Sequence, residues 1–245
     1  MLVVAGVDRL RPEHGPIFAV IGVFDGLHRG HIYLLDHLVR EARARSARAC
    51  VITFDHHPDE VLTGTAPPLL VHPDERVERL AAAGVDVTVV QHFDDAVRHT
   101  MWDRFLGSIR ARTELAGLLM TPDAAFGYQR AGTPDVVRQL GEREGFDLVV
   151  VDPFTIDGVP VKSTDIRAAI ECGDLARAER LLGRPVGVRG AVVKGVLTFD
   201  WPMALPPAGE YVATIDGRPG SVAVEGSAIR VPTGSSGTVR IEFAG

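Results

Sequence analysis

Residues 17–31 read Ile17-Phe-Ala-Val-Ile21-Gly22-Val-Phe24-Asp25-Gly26-Leu-His28-Arg29-Gly30-His31. An apolar run, expected to be a buried strand over Ile17–Phe24, enters a glycine-rich turn. Two histidines three residues apart stand where the next helix should begin. Glycines let backbone amides approach an anion closely, and a helix start offers unpaired N–H groups and the positive end of the dipole. Imidazoles at i and i+3 share one helical face, so His28 and His31 can address the same phosphate oxygens, with charges expected to respond near neutral pH. Zinc-protease spacing instead puts histidines at i and i+4 around a glutamate. Here Arg29 lies between them, which disfavours a cation site.

Outward from this stretch, strand-like runs alternate with amphipathic helix patterns as far as residue 183. Strands are expected at Ala49–Phe54, Asp86–Val90, Leu115–Met120 and Asp147–Val151. Helices are expected at His31–Arg45, with Leu34, Leu35, Leu38 and Val39 inward, and at Glu75–Ala83, Met101–Arg112 and Thr133–Glu144. Such alternation implies an α/β fold, Rossmann-like, with a mostly parallel sheet covered on both faces and ligands at the carboxyl ends of its strands. Two short helices follow, Ser163–Cys172 and Asp174–Leu182, the second with Asp174 as its N-cap. After Gly183 the pattern turns to short β runs separated by Gly, Pro and Asp, with Asp216-Gly217 suited to a hairpin. The expected organisation is a large α/β domain over 1–184 and a small β-barrel-like domain over 185–245.

Three further segments carry chemistry. Thr53-Phe54-Asp55-His56-His57-Pro58 ends the second strand, and Pro58 restricts His57 to extended geometry. Asp123-Ala-Ala-Phe126-Gly127 follows the strand that ends at Met120. Lys162-Ser163-Thr164-Asp-Ile-Arg167 opens a helix with two hydroxyls and a guanidinium that can face one anion.

Residues 22–31 resemble the His-x-Gly-His signature of the nucleotidyltransferase superfamily. More narrowly, they are similar to the adenylyltransferase module of bacterial FAD synthetases, the bifunctional riboflavin kinase/FMN adenylyltransferase family. Residues 53–58 resemble that family's Thr-Phe-Glu-Pro-His-Pro, with Asp55 for glutamate and His56 for proline. Residues 121–127 resemble its Gly-Glu-(Asp/Asn)-Phe-x-Phe-Gly loop, with Thr121-Pro122 and Ala124 departing. Residues 162–167 resemble its Ser-Ser-Thr-x-Ile-Arg, with Lys162 for the first serine, and Leu181-Leu-Gly-Arg-Pro185 matches its join to the kinase half. In that half, Gly195-Val-Leu-Thr-Phe-Asp-Trp-Pro-Met-Ala204 stands where the family has Gly-Phe-Pro-Thr-Ala-Asn, so the metal-binding threonine-asparagine pair has no intact counterpart. Pro207-Ala-Gly209-Glu-Tyr211 is similar to a strand of the kinase barrel. The resemblance covers residues 15–190 well and the rest as a remnant.

The resemblance implies an enzyme that makes FAD and pyrophosphate from FMN and ATP, without riboflavin kinase activity. His28, His31 and Arg167 are the expected catalytic residues. Gly22, Phe24, Asp25, Gly26, Gly30, Lys162, Ser163 and Thr164 would bind ATP, and Phe54, His57, Pro58, Asp123 and Phe126 the flavin. Mg²⁺ would be held mainly through ATP phosphates, with no protein ligand assigned. Two other readings stay open: transfer to a modified flavin or other phosphorylated acceptor, or from CTP, and a noncatalytic flavin- or nucleotide-binding protein.

Bulk properties agree with small-molecule partners. The 245 residues carry a formal net charge of −6, so no nucleic-acid footprint is expected. Arg40, Arg43, Arg45 and Arg48 read as a solvated helix face. Two cysteines, Cys50 and Cys172, suggest neither a disulfide framework nor a metal site. No basic stretch followed by a long apolar run opens the sequence, and no apolar stretch approaches ~18 residues. A cytoplasmic protein without membrane partners is expected; nothing fixes its oligomeric state.

Overall fold

The computed structural model describes residues 1–232 and 234–245. In chain order come β1 (Leu2–Ala5), β2 (Ile17–Ile21), α1 (Arg29–Ala44), β3 (Arg48–Phe54), α2 (Pro58–Thr63), α3 (Pro73–Ala82) and β4 (Val87–Gln91). Next are α4 (Asp95–Arg98), α5 (Trp102–Arg110), β5 (Leu115–Met120), α6 (Pro134–Glu144) and β6 (Asp147–Val150). A two-stranded hairpin, β7 (Thr155–Ile156) and β8 (Val159–Pro160), precedes α7 (Ser163–Glu171) and α8 (Leu175–Leu182). The remaining strands are β9 (Gly187–Val193), β10 (Val196–Thr198), β11 (Gly209–Ile215), β12 (Arg218–Glu225), β13 (Ala228–Arg230) and β14 (Gly237–Phe243). The chain divides into two compact units. One comprises Met1–Phe24, His31–Ala66 and Val77–Phe154, the other Asp25–Gly30, Pro67–Arg76 and Thr155–Gly245.

The first unit is built on a six-stranded sheet of order β1-β4-β3-β2-β5-β6, parallel throughout, which bears out the Rossmann-like expectation. From β2 the chain winds one way through β3 and β4, then returns to β5 and β6 on the other side. The winding direction therefore reverses between β2 and β5, where a parallel sheet opens a ligand crevice at its carboxyl edge. Both faces of the central strands are buried. Ala19, Cys50 and Val89 share a core with Leu106 and Ile109 of α5 and Val137 of α6. Phe18, Val20 and Val51, which point the other way along the pleat, are buried too. Each large side chain so removed from water contributes ~1.5–3 kcal/mol.

Two expectations are corrected here. β2 ends at Ile21 rather than Phe24, because Thr53 Oγ1 donates to the Val23 carbonyl (2.9 Å) and Phe24 turns to φ 54°. Arg45 is not on a solvated face: its Nε donates to Asp147 Oδ2 (2.8 Å) and its guanidinium lies over the Phe18 ring. Along α1 the inward positions are Leu35, Leu38, Val39 and Ala42, while Leu34 borders a cavity.

In the second unit, β9–β14 close a barrel of order β10-β13-β12-β11-β14-β9, antiparallel throughout, as the run of short β segments implied. Alternate residues such as Val222, Val224, Val239 and Ile241 fill it. Asp216 and Gly217, with φ 49° and 77°, make the tight β11–β12 turn, the positive-φ pair that a right-twisted hairpin favours. Asp174 caps α8, its carboxylate accepting from Arg177 N–H (3.0 Å).

Candidate active site

In the second unit the turn Asp25-Gly26-Leu27 is the hub of a polar cluster. Phe24, Gly26 and Leu27 all have positive φ (54°, 81° and 40°), the kind of strained backbone that persists only when its surroundings over-determine it. The restraints are visible. The Asp25 carboxylate, 3% exposed, accepts Leu70 N–H on both oxygens (3.0 and 3.1 Å) and Arg167 Nη2 on Oδ2 (2.6 Å). Arg167 Nε donates to the Pro68 carbonyl (2.8 Å). Ser163 Oγ donates to the Asp25 carbonyl (3.1 Å), and Arg184 Nη2 to the Gly26 carbonyl (2.7 Å). The turn is thereby tied to the start of α7, to Pro68–Leu70 and to the segment after α8.

His28 follows the turn, 4% exposed, immediately before α1. Burial, followed by the positive fields of Arg184 and Arg167, lowers its pKa to about 4. The expected titration near neutral pH does not apply: His28 is a neutral imidazole at pH 7. It offers an N–H rather than a charge, and the cluster's positive charge is carried by the two arginines. Two residues on, Gly30 is needed for close approach. A Cβ there would meet the His28 ring at 3.1 Å and the Val161 carbonyl at 3.3 Å.

In the first unit, the carboxyl edge between β2 and β5 opens into a cavity of about 680 Å³. Gly22, Phe54, Pro58, Phe93, Phe126 and Tyr128 are among its lining residues. Its volume lies in the usual range for a small-molecule site. A smaller cavity of about 270 Å³ is bordered by Asp123 and Ala124 and shares Ile21, Ala125, Phe126 and Arg130 with the larger one. Phe54 and Phe93 meet edge-to-face with centroids 5.2 Å apart. Asp123 Oδ1 accepts from Thr121 Oγ1 (2.8 Å).

The structure thus gathers His28, Asp25, Gly26, Gly30, Ser163 and Arg167 around one turn. Lys162 and Thr164 are exposed at the start of α7. His31 lies in the first turn of α1, its ring 5.0 Å from that of Phe24. Among the expected flavin residues, Phe54, Pro58 and Phe126 border the larger cavity and Asp123 the smaller. His57 lines neither: with φ −69° and ψ 129° it is extended, as Pro58 requires, and its Nδ1 caps α2 by accepting Asp59 N–H (3.2 Å). Sequence reasoning missed Arg184, Leu70 and Phe93. Arg184 stood in the quoted Leu-Gly-Arg-Pro string, where a cation directly after a helix-ending glycine (Gly183, φ 76°) was the available signal.

Residues 10–165 match the family model described as FAD synthetase. The chain belongs to the FAD synthetase family. It is 33% identical over 196 residues to the bifunctional riboflavin kinase/FMN adenylyltransferase of Pseudomonas fluorescens, covering 80% of this chain and 63% of that protein. The protein of the same name from Escherichia coli K12 is 32% identical over 224 residues, covering 89% and 71%. This family member therefore spans somewhat under two thirds to just over two thirds of the relatives' length. A solved structure described as a macrolide-efflux protein from Streptococcus pneumoniae superposes with a TM-score of 0.82 at 22% identity, covering 99% of this chain and 88% of that one. That likeness speaks for the fold. Among the described residues no helix is long and apolar enough to cross a membrane.

Proposed function

We propose that this protein is an FMN adenylyltransferase, forming FAD and pyrophosphate from FMN and ATP. The observation that carries the reading is the convergence of His28, Ser163, Arg167 and Arg184 on the Asp25-Gly26 turn, in a chain of the FAD synthetase family. An FMN phosphate oxygen attacks the α-phosphorus of ATP in line, and the bond to the bridging oxygen breaks to release pyrophosphate. No protein nucleophile takes part, so positioning and charge stabilisation dominate. Neutral His28 donates a hydrogen bond to triphosphate oxygens, with His31 the second imidazole. At the start of α7 the Ser163 and Thr164 backbone amides, the Thr164 hydroxyl and Lys162 hold phosphate, while the Ser163 hydroxyl stays on the Asp25 carbonyl. Arg167, with Nε and Nη2 committed to Pro68 and Asp25, keeps Nη1 for the leaving phosphates, while Asp25 positions it. In the first unit, Gly22 and Phe24 are assigned to the nucleotide, and Phe54, Pro58, Asp123 and Phe126 to the flavin.

Mg²⁺ fits this scheme as a companion of the nucleotide. Magnesium takes oxygen ligands, and the cluster's carboxylate, Asp25, is already engaged on both oxygens by Arg167 and Leu70. When bound with ATP it supplies charge neutralisation on the phosphates. The barrel's Gly195–Ala204 stretch keeps a threonine, Thr198, but has Asp200 where the kinase motif has asparagine, and on that ground we assign the chain no riboflavin phosphorylation. Residues 1–184 are taken as the transferase module and 185–245 as the kinase-like one, acting in the cytoplasm. Ala124, in place of an aromatic at the smaller cavity, favours a second reading in which the acceptor is a modified flavin.

One incubation series tests the proposal: ATP or CTP with Mg²⁺ and FMN, riboflavin or a flavin analogue, products resolved by chromatography. FAD from FMN and ATP, with no FMN from riboflavin, is the expected result. A nucleotide adduct on another flavin only selects the second reading, and no adduct with any flavin leaves a binding protein.

A further inference from the structure

Asp55 and His56 are the two positions at which residues 53–58 depart from the family pattern, and adenylyl transfer gives neither a task. Both belong to the first unit. Asp55 directly follows β3 and His92 directly follows β4, and the last register pair of these parallel strands is Phe54 with Gln91. The two residues therefore emerge side by side from the carboxyl edge. The backbone holds them there: Asp55 N–H donates to the Gln91 carbonyl (3.1 Å), and Phe93 N–H to Asp55 Oδ1 (3.1 Å). His92 Nδ1 lies 2.6 Å from Asp55 Oδ2, and His56 Nδ1 lies 3.1 Å from Asp55 Oδ1. The two rings stand 5.9 Å apart at 81°. One ligand atom from each of the three residues lies within 4.8 Å of the others.

We propose that Asp55, His56 and His92 form a binding site for a divalent transition-metal ion of the zinc, nickel or copper class. Two imidazoles and one carboxylate are the donor set such ions select, whereas Mg²⁺ and Ca²⁺ require oxygen. Tetrahedral zinc with bonds near ~2.0–2.1 Å spreads its ligands by about 3.3 Å. Seating the ion opens the 2.6 Å Asp55–His92 contact by well under an ångström, within reach of side-chain rotation. Partial exposure of His92 and His56 gives the ion a path in and leaves room for water as a fourth ligand. The site sits at the cavity rim, since Phe54 and Phe93, the neighbours of Asp55 and His92, both line it. An ion there ties the ends of β3 and β4 together.

The test uses the whole chain, stripped with a chelator and dialysed, titrated calorimetrically with ZnCl₂, NiCl₂ or MgCl₂ in the absence of nucleotide and flavin. Its outcome is thus independent of the proposed transfer reaction. One equivalent of Zn²⁺ per chain is expected, with no Mg²⁺ binding at this site. His92→Ala and His56→Ala should each weaken Zn²⁺ binding by more than the roughly tenfold that loss of an outer-shell partner costs. Unchanged circular dichroism and thermal unfolding of the metal-free chain would establish that both variants fold. His99→Ala, which removes a separate histidine–aspartate pair, should leave the affinity unchanged. Absence of Zn²⁺ binding, equal binding by wild type and both ligand variants, or loss in His99→Ala would each overturn the site and leave a hydrogen-bonded triad.

Discussion

Arg167 Nη2 meets Asp25 Oδ2 at 2.6 Å, with the two side chains 11% and 3% exposed. This buried ion pair links the only arginine of α7 to the histidine-bearing turn. It is an alignment device more than a source of stability, because withdrawing two charges from water offsets most of their attraction.

Removing one partner leaves the other charge buried and uncompensated. Asp25→Ala is expected to destabilise the protein by about 3–5 kcal/mol, measured by urea unfolding. The double variant Asp25→Ala/Arg167→Ala should be less damaging than the sum of the singles. Strict additivity would show that the pair is uncoupled.

His28 makes stability pH-dependent. Its folded pKa is depressed to about 4, below the unfolded value of 6.5. Above pH 6.5 both states are neutral and the group contributes no difference. As pH falls through 6.5 the unfolded chain takes up a proton that the native state refuses, so stability declines until about pH 4. By pH 5 this amounts to about 2 kcal/mol. His28→Gln lacks that loss, so the stability gap between the variants should shift by this amount between pH 7.5 and 5. An unchanged gap would refute the depressed pKa.

For catalysis, His28→Ala should cost at least ~2–3 kcal/mol of transition-state stabilisation, a drop of about 30- to 150-fold in kcat/KM, comparable to losing one preorganised donor. Because the wild-type imidazole acts as a neutral donor, kcat/KM for ATP should show no loss from His28 deprotonation between pH 6 and 8. Near-wild-type turnover by the variant would remove His28 from the mechanism.

Phe93 faces Phe54 across the rim of the larger cavity. Phe93→Ala is expected to weaken FMN binding by about 1–2 kcal/mol while leaving ATP affinity unchanged, read by quenching of flavin fluorescence. Equal loss for both ligands would mean collapse of the edge rather than a lost flavin contact.

The central strands and long helices were legible because their apolar spacing has no competing interpretation. Strand β5 was bounded correctly at both ends, and Asp174 and Asp216-Gly217 behaved as cap and turn. Four strands escaped notice for physical reasons; β7 and β8, two residues each, are too short to carry a pattern. β1 buries one residue of four, so it carries almost no pattern, and β10 has three residues behind a Lys194-Gly195 turn without the usual asparagine or aspartate signal. At the site, the residues quoted for the turn and for α7 converge, since each stands on an element whose start is marked in sequence. Arg184 and Phe93 were hidden because their relevance comes only from tertiary placement. The His28 environment was equally invisible: a string of letters shows a titratable ring but not the burial, aided by two guanidiniums, that keeps it unprotonated.

Four residues, Ile21, Ala125, Phe126 and Arg130, wall both cavities of the first unit. For inhibitor discovery that shared wall is an opportunity for fragment linking. A flat aromatic fragment in the larger chamber and a small polar one beside Asp123 would need only a short tether, and each would hold the other at high effective concentration.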